Sequence, residues 1–278
     1  MGRSEAQLQR VYDANSASSG AGVQKLWRYR ELIFFLAWRE ILSRYKQTVV
    51  GLAWAVLRPM IMVGIFTLVF GVFAELPSHG VPYPAYVLCA WLPWQLFSQC
   101  LNGLTSSVVA NQAMIQKVYF PRVILPITAV CSALVDFAIA WVVFMAVLLY
   151  YGINPGWGLL ILPVLALYTI LVAFAVGIWF AALSVKYRDF RHIVPFLTQV
   201  WLYLTPVAYS SSVVPEAYRF LFGLNPMTGA VELFRWSFLG QTLQIGPEMG
   251  ISAGIMLLML MAGMLYFRRA ERLFADVI

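Results

Sequence analysis

Charge is what this sequence has least of. Only 11% of its 278 residues are Asp, Glu, Lys or Arg, against about a quarter in an ordinary soluble domain. With 62% of the chain hydrophobic, a water-soluble globule is excluded. Histidine is scarcer still: His79 and His192 lie far apart, with no HExxH and no cysteine partner, so nothing has metal-ligand spacing. Cys89, Cys100 and Cys131 all lie in apolar runs without a CxxC and read as small buried hydrophobes. There is no Gly-x-x-x-x-Gly-Lys-Ser/Thr to cradle nucleotide phosphates, no GxSxG, and no cluster of carboxylates in a polar loop. Residues 1–24 are polar and rich in Ser, Ala and Gly, lack the apolar core of a signal peptide, and read as a flexible arm.

Long apolar stretches are there in number. Six can cross a hydrocarbon core, which takes about 20 helical residues: roughly 51–74, 84–110, 123–151, 157–184, 193–209 and 249–267, the fifth being the shortest. Unpaired backbone is intolerable in lipid and the alternation of a membrane barrel is absent, so these runs are helices. The net charge of +7 sits at span edges and points to anionic lipid headgroups, not to nucleic acid.

Direction follows from Lys and Arg. Eight precede the first span up to Lys46, and Lys117, Arg122, Lys186, Arg188, Arg191, Arg268, Arg269 and Arg272 share that side. The other side holds Arg219 and Arg235, while Arg58 begins the first span and can snorkel back. The positive-inside rule then puts both termini in the cytoplasm.

Two segments are neither span nor plain loop. Residues 25–48 mix aromatic and basic side chains at helical spacing, the pattern of an amphipathic helix in the membrane surface, serving as an anchor or also as a dock for a cytoplasmic partner. Residues 210–247 hold two apolar pieces too short to cross. A hairpin dipping back into the outer leaflet would bury Phe220, Phe222, Phe234, Trp236 and Phe238 and pair Glu232 with Arg235 at its rim, as a gate or as inert packing. The expected architecture is therefore an all-α integral membrane fold with six transmembrane helices, an interface helix over 25–48, a permease domain over 49–278 and a re-entrant outer hairpin between spans five and six.

Inside the second span, Gln95, Gln99, Asn102 and Ser106 fall on one helical face. Such a stripe bonds neighbouring helices or lines a hydrated path for a hydroxyl-rich cargo. Trp91, Trp94, Trp201 and Tyr203 are interfacial belt residues or, where they face a channel, platforms on which sugar rings stack. Asp136 lies near the middle of the third span with no second intramembrane acid in the sequence, which argues against a proton-driven pump.

Arg39-Glu40-Ile41, Arg44-Tyr45-Lys46-Gln47-Thr48, Gly51, Trp54 and Pro59 resemble the opening signature of polysaccharide-exporting ABC transporter permeases of the O-antigen and teichoic acid type, in the type 2 exporter superfamily. Lys117-Val118-Tyr119-Phe120-Pro121-Arg122, Lys186-Tyr187-Arg188-Asp189, and Asn225-Pro226-Met227 with Glu232 and Arg235 are similar to later landmarks of that family, in order. The resemblance implies a homodimer in the bacterial inner membrane with two copies of a separate nucleotide-binding ATPase, which would bind ATP and Mg2+. This chain would carry no cofactor. It also implies a lipid-linked polysaccharide as cargo, with Arg39, Glu40, Arg44, Lys186, Tyr187, Arg188 and Asp189 at the ATPase, and Phe220, Phe222, Glu232 and Arg235 in the outer gate. A drug or small-molecule efflux permease is the alternative within transport and would show an apolar central cavity. A membrane sugar transferase would need acidic residues clustered in an aqueous loop.

Overall fold

The computed structural model describes residues 27, 29–45, 53–117, 120–242 and 247–271, and the regular elements among them are all helical. The arm over 1–24 lies outside the described residues, as do 46–52, which hold part of the opening signature. Helix α1 is Arg30–Tyr45; α2 is Ala53–Phe66, continued by a π-helical stretch, Thr67–Phe73. Then come α3 (Tyr83–Ala110), the short α4 (Gln112–Lys117), α5 (Ile124–Tyr150), α6 (Gly158–Lys186) and α7 (Phe190–Leu204). After a 3-10 turn, Ser211–Val213, the chain forms α8 (Glu216–Leu224), α9 (Pro226–Leu239) and α10 (Pro247–Glu271).

Four of these are long and apolar enough to cross a membrane: α2 with its π extension, α5, α6 and α10. Helix α3 has the length, at 28 residues, but interrupts its apolar run with amides and hydroxyls. That composition explains its place. Polar side chains are tolerated at membrane depth where they face protein, and α3 is the central helix, packed by α5, α6, α7, α9 and α2. Tyr86, Leu88, Leu92, Leu96, Phe97, Leu101 and Leu104 are wholly buried along it. The surrounding helices turn apolar side chains outward, such as Val142 and Leu149 of α5 and Leu160 and Val164 of α6.

Two observed boundaries differ from the expected ones for a local reason. The fifth apolar run stops being helical at Leu204, five residues before the expected end at 209, because Pro206 follows. A residue before proline is pushed out of the helical region, and Thr205 is extended, with φ −107° and ψ 135°. Helix α10 runs past the expected end at 267 to Glu271, since a helix need not stop where the apolar stretch does.

The helices meet closely at small residues, the usual solution in a medium that gives helices no hydrophobic drive to associate. Gly177 of α6 receives Leu104 of α3, and Gly263 of α10 lies against Ile178 and Trp179 of α6. At Gly263 an added Cβ would fall 2.4 Å from Ile178 and 2.7 Å from Trp179 Nε1. That indole is held, because its N–H donates to the Met259 carbonyl at 3.0 Å. Gly263→Leu is therefore expected to lower the thermal midpoint of the detergent-solubilised chain, by about 1–3 kcal/mol of overpacking. Gly64→Ala, inside α2 and with nothing within 4 Å of the added carbon, should not lower it, and removing a helical glycine should raise it slightly.

Candidate functional site

One end of the bundle gathers the basic loops. The end of α3, the start of α5, and the ends of α6 and α10 share a cluster built on Val108, Val123, Ile178, Ala181, Ala182 and Phe267. Ser184 ties α6 to α3, its hydroxyl donating to the Thr105 carbonyl at 2.7 Å. Helix α1 lies against α5 at this end, with Leu36 packed among Phe120, Ile124 and Leu125. Arg39 donates to Asn111 Oδ1 at 2.6 Å, joining α1 to the turn between α3 and α4. Of the residues expected at an ATPase, Arg39, Lys186, Tyr187, Arg188 and Asp189 are exposed here and Glu40 is half-buried. Lys186 lies over the Tyr187 ring, 5.1 Å from its centroid. The side chain of Arg44 is outside the described residues.

The polar stripe of α3 occupies its least covered face. Trp91, Ser98, Gln99 and Asn102 are half-buried and Ser106 is exposed, whereas the flanks are closed. Trp91 Nε1 donates to Gln95 Oε1 at 3.1 Å, and Asn102 Nδ2 to the Ser98 carbonyl at 2.7 Å. Two acceptors are left over: Gln99 Oε1 and Asn102 Oδ1 are buried with no hydrogen-bond partner among the described residues. Trp94, expected on the path, is turned inward. It is 3% exposed and packs against Phe97, since it lies on the flank of the stripe that α3 turns into the core. Gln95, 8% exposed, is also drawn in. Trp201 of α7 meets the Phe97 ring edge to face at 5.0 Å and is half-buried, and Tyr203 is exposed.

At the opposite end the expected rim pair is a core pair. Arg235 and Glu232 do meet, at 3.6 Å, but the arginine is 0% exposed and the glutamate 9%. The reason is that α9 packs on α3 and α6, carrying this face inward. A buried guanidinium needs partners to offset its lost hydration, and all but the Nε of Arg235 find them among the described residues. Arg235 lies 3.9 Å from the centroid of the Tyr86 ring and donates to the carbonyls of Val207 at 3.0 Å and Tyr209 at 3.3 Å. Ser211 donates to Glu232 at 2.8 Å, and Tyr83 donates to the Ala208 carbonyl. Residues 207–211 are thus strapped to α3 and α9. Phe234 and Phe238 are fully buried and Phe222 is half-buried against Tyr209, while Phe220 and Trp236 stay exposed.

A second junction sits at the turn between α8 and α9. Asn225 Oδ1 accepts from the Met227 amide at 3.1 Å, capping α9, and from Trp201 Nε1 at 3.0 Å. Its amide donates to Thr205 Oγ1 at 3.0 Å. Sequence reasoning missed Tyr86 and the carbonyls of 207 and 209 as partners of Arg235, and Ser211 as a partner of Glu232. An arginine in an aromatic stretch signals that acceptors exist, but not which ones.

These features describe a multi-pass membrane protein with a basic, exposed end, a polar face along its central helix and a strapped hairpin at the far end. Residues 31–239 match the ABC-2 type transporter family, and the chain belongs to it. It is 28% identical over 259 residues to the O-antigen export system permease protein RfbA of Myxococcus xanthus, covering 92% of this chain and 98% of that protein. A Klebsiella pneumoniae protein of the same name is 24% identical over 254 residues, covering 89% of this chain and 95% of its own length. The polysialic acid transport protein KpsM of Escherichia coli is 23% identical over 269 residues, covering 92% and 97%.

Removing one member of the buried pair should be severe. Arg235→Met, which leaves Glu232 without its cation, is expected to destabilise the chain by about 3–5 kcal/mol. The double change Arg235→Met with Glu232→Leu should recover a large part of that loss, as read by thermal unfolding in detergent.

Proposed function

We propose that this chain is the channel-forming subunit of an ABC exporter that moves lipid-linked polysaccharide of the O-antigen type across the bacterial inner membrane. It works as a homodimer with two copies of a separate ATPase, which binds ATP and Mg2+. The observation that carries the cargo class is the stripe on α3. A row of amides and hydroxyls follows its least covered face, with Gln99 Oε1 and Asn102 Oδ1 unpartnered. A sugar polymer carries donors all along its length, so it can satisfy such acceptors at each register as it passes. The family membership and the export and transport permeases among its relatives support the same reading.

The remaining helices complete six spans. Helix α3 is a span whose polar face is shielded by protein or faces the channel. Helix α7 has 15 residues, about 22 Å at 1.5 Å per residue, short of a hydrocarbon core of about 30 Å. The chain covers the rest of the thickness with the irregular 205–210 segment, and α8 and α9 then form a re-entrant hairpin in the outer leaflet. Their depth explains why Arg235 and Asn225 meet so many acceptors from inside the bundle. The basic end, by the positive-inside rule, is cytoplasmic, as are both termini. There α1 and the Lys186 to Asp189 loop receive the ATPase, and movement of α1 reaches the central helix through Arg39 and Asn111. The hairpin, held by Arg235, acts as the outer gate.

An apolar cavity of about 570 Å³ also exists, lined by residues of α6, α7, α8, α9 and α10. A small-molecule efflux permease would place its cavity on the transport axis. Here none of the lining residues belongs to α3, and Trp201 is the one lining residue among those expected to meet the cargo, so the cavity lies beside the hairpin and off the polar stripe.

The test is to reconstitute the chain with its ATPase in lipid and measure ATP hydrolysis with and without a lipid-linked polysaccharide. Gln99→Leu with Asn102→Leu should reduce glycan stimulation by up to about thirtyfold, as expected when two hydrogen bonds of about 1 kcal/mol each are lost. Co-purification of the two chains should persist. Arg188→Glu should instead weaken co-purification. Stimulation by small amphiphiles alone, with no response to the glycan, would defeat the polysaccharide assignment.

A further inference from the structure

A second groove, separate from the polar path, opens between α1 and α5. Ile33, Ala37 and Ile41 stand four apart on α1, and Ile127, Cys131 and Val135 stand four apart on α5. Spacing of four puts each trio in one row along its helix, and the two rows line a cavity of about 550 Å³. Trp27, Phe34 and Trp38 form its outer rim, with exposures of 69%, 71% and 52%. Phe34 and Trp38 stack parallel, 6.4 Å apart. Among the described lining residues Arg30 alone is charged, and its guanidinium lies 5.6 Å from the centroid of the Trp27 ring.

We propose that this groove is a binding site for an anionic phospholipid, with one acyl chain between the α1 and α5 rows and the phosphate on Arg30. The inference rests on the reading of α1 as an interfacial helix. Charge complementarity selects the occupant. A single cation beside an otherwise apolar slot matches a phosphate above a hydrocarbon chain, whereas a sugar polymer would find no donors or acceptors along these rows. Guanidinium suits phosphate because its planar fork donates two hydrogen bonds at once. Eight Lys and Arg lie in the segment up to Lys46, so anionic headgroups are concentrated around α1. The exposed rings beside the groove sit where aromatic side chains are enriched, at headgroup level. A lipid in this slot would wedge α1 against α5, and through Arg39 and Asn111 would set the position of the surface offered to the ATPase.

The experiment uses the full chain in nanodiscs of phosphatidylcholine doped with phosphatidylglycerol that carries a photoreactive group in its acyl chain. Adducts are expected on peptides holding α1 and Ile127 to Val135, above the labelling of equally exposed parts of α6 and α10. Arg30→Gln should reduce those adducts about fivefold, the factor one basic residue near an anionic surface is worth. A phosphatidylcholine probe of the same chain should not respond to that change. Val135→Trp, which fills the groove, should remove the adducts of both probes. Cys131 gives a second reading, because it is half-buried while Cys89 and Cys100 are fully buried. Its alkylation by a maleimide in detergent should slow when phosphatidylglycerol is added, and should slow less in Arg30→Gln.

Adducts spread evenly over every exposed helix, or insensitivity to Arg30→Gln, would overturn the proposal. So would displacement of the probe by a polyprenyl diphosphate and not by unlabelled phosphatidylglycerol, which would make the occupant the carrier lipid. Absence of any adduct on α1 would defeat its interfacial placement as well. Neither ATPase nor glycan enters the experiment, so its result is separate from that of the export assay.

Discussion

The buried guanidinium of Arg235 is the constraint around which the far end of this protein is arranged. A charge at that depth needs partners to offset its lost hydration. Glu232, the Tyr86 ring and two carbonyls from the 207–209 stretch meet its terminal nitrogens and its face, while Nε has no hydrogen-bond partner among the described residues. Because those partners come from α3, α9 and the segment after α7, the requirement of one side chain sets how three parts of the chain sit together. The hairpin cannot swing freely without separating charges in a medium that does not solvate them.

Helix α3 answers the same physics in the opposite sense. Its amides and hydroxyls are too numerous for a lipid-facing helix, so neighbours enclose it, yet one face keeps acceptors unsatisfied. Unpaired buried acceptors destabilise a fold, and retaining them is reasonable where a passing ligand supplies the missing donors. Its apolar flanks hold the bundle, and its polar face is the least covered part of the helix.

At the basic end, contacts are arranged for transmission. Arg39 reaches Asn111, whose own amide donates to the Ser107 carbonyl in the last turn of α3 at 2.9 Å. A push on α1 is therefore felt at the end of the helix that carries the stripe. The groove beside α1 adds a lipid contact to that chain of connections.

Much of this architecture was legible in the sequence. Apolar runs of sufficient length located α2, α3, α5, α6 and α10 closely, because a hydrocarbon solvent leaves helices as the economical way to bury a backbone. The row of Gln95, Gln99, Asn102 and Ser106 was visible because helical periodicity alone decides which residues share a face. Tertiary structure alone decided which way that face and its flanks turn. It placed Trp94 in the core and left Gln99 half-buried, since neighbours and not spacing determine burial. Tertiary structure also moved Glu232 and Arg235 from a rim to the interior. Their pairing is local, three residues apart on one helix, whereas their depth depends on Tyr86, Val207 and Tyr209, which come from other parts of the chain.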